Sequence, residues 1–476
     1  MEVSVMNTKP LVVLIQACKH SVITDKYSER YPYPPVGLIY LSNMLTLNGY
    51  AVEIIDLYLA PLSRAEFIDT LRALPQSPLL IGISSYTDSI QEAYKIAEVA
   101  KETFTETPII FGGAHVSFMY CESMEECPAM DYCCRGEGEA LMVELLEHLR
   151  FGFPQRPDIL GLVYRDGEMV MVNPQRGFVE NMDILPFPYY TELMKSGMQK
   201  QEGLVFVSSR GCPGGCIFCA SRALSGSKYR FHSAEWIISM LYYHDQTTLN
   251  IFGALDDSFT VNRSRLKKFV AYLEQLNIHK PWSCKSRVDV IDEELTELLR
   301  SSHCKSVHIG VESGDDEVLR TVEKHITLKQ VFNAIRLLTS NNMRAECSFI
   351  LGHPTDTLES MERTLILAAK LDQSGVVLSV AGICTPFPGT KIWNRIDEYP
   401  LKMHSYNWRI YDLSTPIFTT DNFSQDDLRR AYFYFHYQCK TGQELPGLTD
   451  CKHTEYIQQV DELVRSIQPK SQKEGA

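Results

Sequence analysis

The sequence predicts an α/β protein: an N-terminal doubly wound, Rossmann-like domain, then a partial (β/α)6 barrel, then a small, mainly helical C-terminal region. Short, β-branched apolar runs alternate with helical spacing in two successive series. Strands of that kind are buried on both faces of a parallel sheet by the helices between them. A Pro- and Gly-bearing connector, FGFPQRPDILG, separates the series. The parts are residues 1–152, a linker with a hairpin at 153–200, the barrel at 201–395 and the helical region with a disordered tail at 396–476.

In the first series, LVVLIQA (Leu11–Ala17) reads as a buried strand, and PVGLIYLSNMLTLNGY as a helix stopped at Gly49. AVEIIDL, LLIGISS and PIIFGGA follow as strands, with a helix over Asp88–Glu106. DYCCRG reads as a fifth strand and Glu137–Arg150 as a helix. LVYRDGEMVMV reads as a hairpin turning at Asp166-Gly167. The second series offers six strands: LVFVSSR, LNIFGAL, WSCKSR, SVHIGVE, RAECSFILG and VVLSVAGIC, the first five each followed by a helical segment. Six such units fit a partial barrel better than a second open sheet, although periodicity alone does not separate the two. Gln425–Lys440 and Glu455–Ile467 read as amphipathic helices. The first carries RRAYFYFHYQ, expected to pack on the barrel, with a substrate lid as the alternative.

The formal net charge of −13 argues against broad nucleic-acid binding. No apolar stretch reaches the ~18 residues of a membrane span. The N-terminal run lacks a basic leader and a small-residue cleavage site. With 14 cysteines scattered and no export signal, the expected setting is the cytoplasm, with reduced thiols. Cys18, Cys133, Cys304 and Cys347 read as core residues, as does Cys384, for which the cavity is the alternative. His20 and His115 read as plain polar residues.

RGCPGGCIFCAS, directly after LVFVSSR, contains Cys212, Cys216 and Cys219 in a Cys-x3-Cys-x2-Cys spacing. Three thiolates on one loop suit three corners of a cubane cluster, leaving one iron open to a chelating ligand. The glycines of the loop let backbone N–H groups turn towards the sulfides. A zinc site with a distant fourth ligand is the alternative, but the usual second Cys-x2-Cys pair is missing.

The triad with Phe218 before its last cysteine resembles the signature of the radical S-adenosylmethionine (SAM) family. That resemblance places Phe218 near the adenine of SAM, bound at a 4Fe–4S cluster. It extends over about 180 residues. FGALDDSFTVNRSR, with Asp256 and Asp257, is similar to the second-strand motif of the cobalamin-associated branch. Arg287 follows the third strand, Glu312, Ser313 and Gly314 the fourth, Gly352 and Pro354 the fifth, and TPFPGTKIW the sixth. All lie at strand C-termini, where barrel enzymes build their sites. The resemblance implies that Glu312 and Arg287 contact the polar parts of SAM, and that Gly352 lets backbone approach the adenine.

The first series, with YCCRGEGEALMVELL, resembles the cobalamin-binding domain fused to many radical SAM enzymes. Ser84, Ser85, Thr87, Gly112, Gly113, Gly136 and Glu137 follow predicted strands, where doubly wound sheets bind ligands. The resemblance makes them the corrinoid site. Asp-x-His-x-x-Gly, whose His ligates cobalt in cobalamin mutases, is absent. An ordinary nucleotide-type fold is the alternative.

What the resemblance implies is reductive cleavage of SAM to a 5′-deoxyadenosyl radical, then methylation of an unactivated carbon of a small-molecule or natural-product substrate from methylcobalamin. An external one-electron donor of flavodoxin or ferredoxin type is implied. A cobalamin-dependent cyclase or rearrangement enzyme is the alternative. A methylthiotransferase needs a second cysteine triad, and Cys121, Cys127, Cys133 and Cys134 are not spaced as one. A non-enzymatic sensor lacks a signalling module.

Overall fold

The computed structural model describes residues 9–19, 34–189, 203–245, 251–441, 447–449 and 452–467. His20, the end of the linker and the tail from Gln468 lie outside them. The chain divides into two compact units, Met1–Gln201 and Glu202–Ala476.

The first unit is a seven-stranded sheet in the order β2-β1-β3-β4-β5-β6-β7. Its strands are β1 Leu11–Gln16, β2 Ala51–Asp56, β3 Leu80–Ser84, β4 Ile109–Gly112, β5 Tyr132–Cys134, β6 Leu162–Asp166 and β7 Met169–Val172. The ladders linking β1 to β5 are parallel. All six residues of β1 are buried, which is why that run shows no polar alternation. Val12, Leu14, Leu80 and Ile110 pack with Leu38 and Leu145 of the covering helices Val36–Leu47 and Glu139–Phe151. Each such side chain contributes about 1.5–3 kcal/mol. The β6–β7 hairpin forms, but Asp166 pairs with Met169, so the loop is Gly167-Glu168, one residue later than expected.

The second unit is a six-stranded sheet in the order β15-β14-β13-β12-β11-β8. Its strands are β8 Gly203–Phe206, β11 Ile251–Ala254, β12 Trp282–Ser286, β13 Cys304–Glu312, β14 Arg344–Leu351 and β15 Val377–Ile383. Every ladder is parallel. Order in space follows order in sequence, as in a half-barrel; a doubly wound sheet would reverse direction at a switch point. The connecting helices start on side chains that the sequence supplies. Asn262, Asp292, Thr327 and Thr357 each accept a backbone N–H of the first turn, the last two as capping boxes. Behind the sheet the rings of Phe252 and Trp282 stack 5.7 Å apart and Phe269 meets Trp282 edge-on at 5.6 Å.

Two short strands, β9 Ser209–Arg210 and β10 Arg230–Phe231, pair antiparallel and tie together the base of the cysteine loop. The run LVFVSSR is thus β8, a break, and β9. The C-terminal helix Gln425–Thr441 packs on β14, β15 and the helix Leu358–Gln373, with Phe435 5.6 Å from Phe349. Two small strands, β16 Lys402–Met403 and β17 Phe418–Thr419, precede it.

Candidate active site

The cysteine loop leaves β9 at Gly211, whose φ is +90° and where a Cβ would stand 2.1 Å from the Lys228 carbonyl oxygen. Only glycine passes there. Cys212 N–H then donates to Gly226 at 3.0 Å, Ile217 N–H to Val322 at 3.1 Å and Cys219 N–H to Cys216 at 3.2 Å. The loop is therefore held at both ends and at its middle. Cys212, Cys216 and Cys219 are free thiols, and none of the nine other described free cysteines lies on this loop. Burial raises the Cys216 thiol to about 11, with Lys324 pulling it down and Cys219 pushing it further up. Crowding around its sulfur raises Cys219 too; Ser221 opposes this, while Asp257 and Cys212 add to it. The thiols thus sense one another, although among the described residues no three His, Cys, Asp or Glu groups converge on a single ion. Three soft donors on one pinned loop fit a cubane, which gives each thiolate a separate iron.

Cations face this loop. Arg287 is held bidentate by Asp289, with Nε and one terminal nitrogen each at 2.9 Å. Its other terminal nitrogen lies 3.3 Å from where a Cβ on Gly214 would be. Lys324 donates to Glu312 at 2.7 Å, with the two side chains only 14% and 10% exposed. Burial disfavours this ammonium, but Glu312 and Cys216 outweigh it and its pKa goes up. Lys324 escaped the sequence reading because a lone Lys after a helix carries no local signal. His353, between Gly352 and Pro354 at the end of the fifth strand, was legible but passed over. Its ring lies 5.4 Å from that of half-buried Phe218.

Several expected ligand residues are already engaged by the protein. Buried Asp256 accepts Ser208 N–H at 3.0 Å, Ser208 Oγ at 3.1 Å and the Ser209 hydroxyl, with Arg265 beside it. It ties the segment between β8 and β9 to the end of β11, so its carboxylate is already engaged by the protein. Exposed Asp257 stays at the loop, near Cys219. Ser313 Oγ accepts Asp315 N–H at 3.2 Å and meets Thr364 Oγ1 at 3.3 Å. Gly352 has φ +76°, and a Cβ there would stand 2.7 Å from a Leu428 methyl on helix Gln425–Thr441, so backbone conformation and packing both favour glycine without any ligand. Cys384 is buried, as expected of a core residue.

In the first unit, the order β2-β1-β3 makes a switch point between β1 and β3, the place where such sheets bind ligands. Gly113, φ +105°, passes so close to β3 that a Cβ would be 2.5 Å from the Ser85 carbonyl oxygen and 3.4 Å from Ser84 Oγ. Beside it, Gly112 opens on free space. Ser85 Oγ is buried without a partner among the described residues, as a cradle awaiting a polar ligand would leave it. These residues fit a corrinoid's polar periphery. Thr87 does not offer a free hydroxyl: its Oγ1 meets His115 Nδ1 at 3.2 Å, and burial lowers that imidazole to about 4. Glu137 is likewise engaged, accepting Val179 N–H at 2.8 Å, while Gly136, φ +84°, donates to Ser117 Oγ at 3.1 Å.

Residues 28–146 match the B12 binding domain and residues 206–368 the Radical SAM superfamily. The chain is 32% identical over 418 residues to an uncharacterized methyltransferase of Pyrococcus horikoshii, covering 86% of this chain and 88% of that protein. It is 27% identical over 417 residues to an anaerobic magnesium-protoporphyrin IX monomethyl ester cyclase of Rubrivivax gelatinosus, covering 83% of this chain and 72% of the cyclase. Among solved structures, the methyltransferase TsrM of Kitasatospora setae, with cobalamin and a 4Fe–4S cluster bound, matches with a TM-score of 0.70 at 16% identity, over 97% of this chain and 99% of that one. OxsB, with aqua-cobalamin and SAM bound, matches at 0.73 and 17%, over 96% and 71%. Those two likenesses support the fold, and the archaeal relative carries the family. The chain belongs to the cobalamin-binding radical SAM enzymes, whose cofactors are a 4Fe–4S cluster, SAM and cobalamin.

Proposed function

We propose that this enzyme is a cobalamin-dependent radical SAM methyltransferase that methylates a carbon of a small molecule. One observation carries it: a pinned loop with three free thiols and no fourth, at the mouth of a parallel half-barrel, in a chain that also holds a switch-point cradle. When bound, the cofactors supply one electron to SAM, a 5′-deoxyadenosyl radical from it, and a methyl group for the substrate carbon. The chain's own work is placement and charge. Cys212, Cys216 and Cys219 hold the cluster. Arg287, paired with Asp289, and Lys324, paired with Glu312, set cationic and anionic groups beside it, suited to the carboxylate and ammonium of SAM. Phe218 offers a flat apolar face for the adenine. Ser84, Ser85, Gly112 and Gly113 seat the corrinoid. No described helix is long and apolar enough to cross a membrane; we place the enzyme in the cytoplasm, reduced by a flavodoxin- or ferredoxin-type donor.

Anaerobic purification with cluster and cobalamin should give about four irons and one cobalt per chain. Cys216→Ala should lower the iron and abolish 5′-deoxyadenosine formation. Persistent SAM cleavage in that variant would falsify the ligand assignment, and failure to retain cobalt would remove methyl transfer.

A further inference from the structure

Closed (β/α)8 barrels fill their interior with bulky aliphatic side chains. This half-barrel does the opposite on one face. In β13, Val307, Ile309 and Val311 are buried on one side of the sheet, and the alternating Ser306, His308 and Gly310 are half-buried on the other. β14 repeats the pattern, with Ala345, Cys347 and Phe349 buried and Glu346, Ser348 and Ile350 half-buried. Phe349 meets the C-terminal helix, so the buried set faces the helices and the polar set the concave side. Register aligns that set across strands: Ser283 beside Ser306, Lys285 beside His308, His308 beside Glu346, Gly310 beside Ser348.

These side chains form one network. The Ser306 hydroxyl donates to Glu346, and His308 Nε2 meets Ser348 Oγ at 3.2 Å. Burial and Lys285 hold the His308 imidazole below its usual pKa, against Glu346 and Glu312. At the upper end, a Cβ on Gly310 would lie 2.1 Å from Glu312 Oε1 and 2.7 Å from Lys324 Nζ. The pair at the cluster mouth therefore overhangs this same face. At the lower end, Lys285 and Arg344 are exposed, and among the described residues Lys285 Nζ has no ion-pair partner. From the level of His308 to that of Glu312 is about 13 Å at ~3.3 Å per residue.

Resting on the reading of this chain as a radical SAM methyltransferase, and taking the concave face as where its substrate lies, we propose the chemical class of that substrate and the residue that selects it. The substrate is a small anionic molecule whose carboxylate or phosphate oxygens meet Lys285. Its neutral polar groups meet His308, Ser348 and Glu346, and its reacting carbon lies at the mouth. A hydrocarbon or flat tetrapyrrole would strip water from these groups without replacing their hydrogen bonds, at a cost that disfavours it.

The test uses the full chain loaded with cluster and cobalamin, SAM bearing a deuterated methyl, and a metabolite extract split into an anion-exchange-retained fraction and a lipid fraction. The anionic fraction should accelerate 5′-deoxyadenosine formation and the lipid fraction should not. Lys285→Met, chosen as a preparation matching the parent in iron content and melting temperature, should need about tenfold more of the anionic fraction for half-stimulation. Lys285→Arg should restore most of the response. Stimulation by the lipid fraction alone, stimulation by neither, or a Lys285→Met response equal to the parent's would overturn the assignment. The label separates the two claims. Stimulation without deuterium in the product removes methyl transfer and leaves the site assignment standing; label confined to the lipid fraction does the reverse.

Discussion

His353 is fully buried, and neither ring nitrogen has a hydrogen-bond partner among the described residues. Burial, helped by Lys324, lowers its pKa to about 3, so the ring is neutral at physiological pH. A buried polar group without a partner costs about 1–3 kcal/mol. His353→Leu removes that penalty with a side chain of similar bulk, and leucine still packs against Phe218. The variant should therefore be more stable by about 1–3 kcal/mol. At ~2–4 °C per kcal/mol for a domain of this size, its melting temperature should rise by roughly 2–12 °C. Thermal unfolding of the cluster-free protein measures this, with urea unfolding as a check that the slope is unchanged. A fall of several degrees would refute the reasoning: the imidazole would then hold a buried water or another partner in the free protein.

Two further outcomes follow from the same strand end. Asp356 is buried, and burial raises its carboxyl to about 7 from 3.8, against hydrogen bonds from Ser360 and the His353 N–H. The folded state thus binds the proton more tightly than the unfolded one, so stability should fall as pH rises from about 4 to about 7, by on the order of 4 kcal/mol at most. Asp356→Asn should flatten that slope in urea midpoints taken across the window; an unchanged slope would assign it elsewhere. Gly352→Ala must hold a non-glycine residue at φ +76° and push Leu428 aside, which should cost about 1–3 kcal/mol. A neutral urea midpoint would mean the turn relaxes freely.

The strands were readable for two reasons: a parallel strand buried on both faces leaves an unbroken apolar run, as LVVLIQA does, and one with a polar concave face leaves an apolar residue at every second position, as SVHIGVE does. The cysteine triad was readable because its ligands sit on one loop. What the sequence could not separate is an acidic or hydroxyl residue that binds a ligand from one that binds the protein. Asp256, Asp257, Ser313, Thr87 and Glu137 all follow strands, and every one looked like a ligand residue. In the fold, Asp256 takes Ser208 and Ser209 at the start of β9, Ser313 takes Asp315, Thr87 takes His115 and Glu137 takes Val179. Only Asp257 is left at the surface. The β9–β10 ladder was invisible for another reason: two residues per strand carry no periodicity.

The pairing of Glu312 with Lys324 shows how the backbone, rather than residue choice alone, builds the mouth. The β13–β14 ladder runs regularly to Gly310 and Ser348, then slips, so that Glu312 stands beside Phe349. Glu312 has φ +68°, a left-handed conformation that L residues with a Cβ adopt at a cost of roughly 1–2 kcal/mol. That turn folds the carboxylate back over Gly310, whose missing side chain is the space it occupies. There it meets the Lys324 ammonium, which the chain brings up from beyond the next short helix. An ion pair this enclosed is a weak device for stability, since desolvation offsets most of its attraction. Strained backbone, a glycine and a buried pair, all spent on one carboxylate beside Cys216, make sense together if its position matters to a ligand at the cluster mouth.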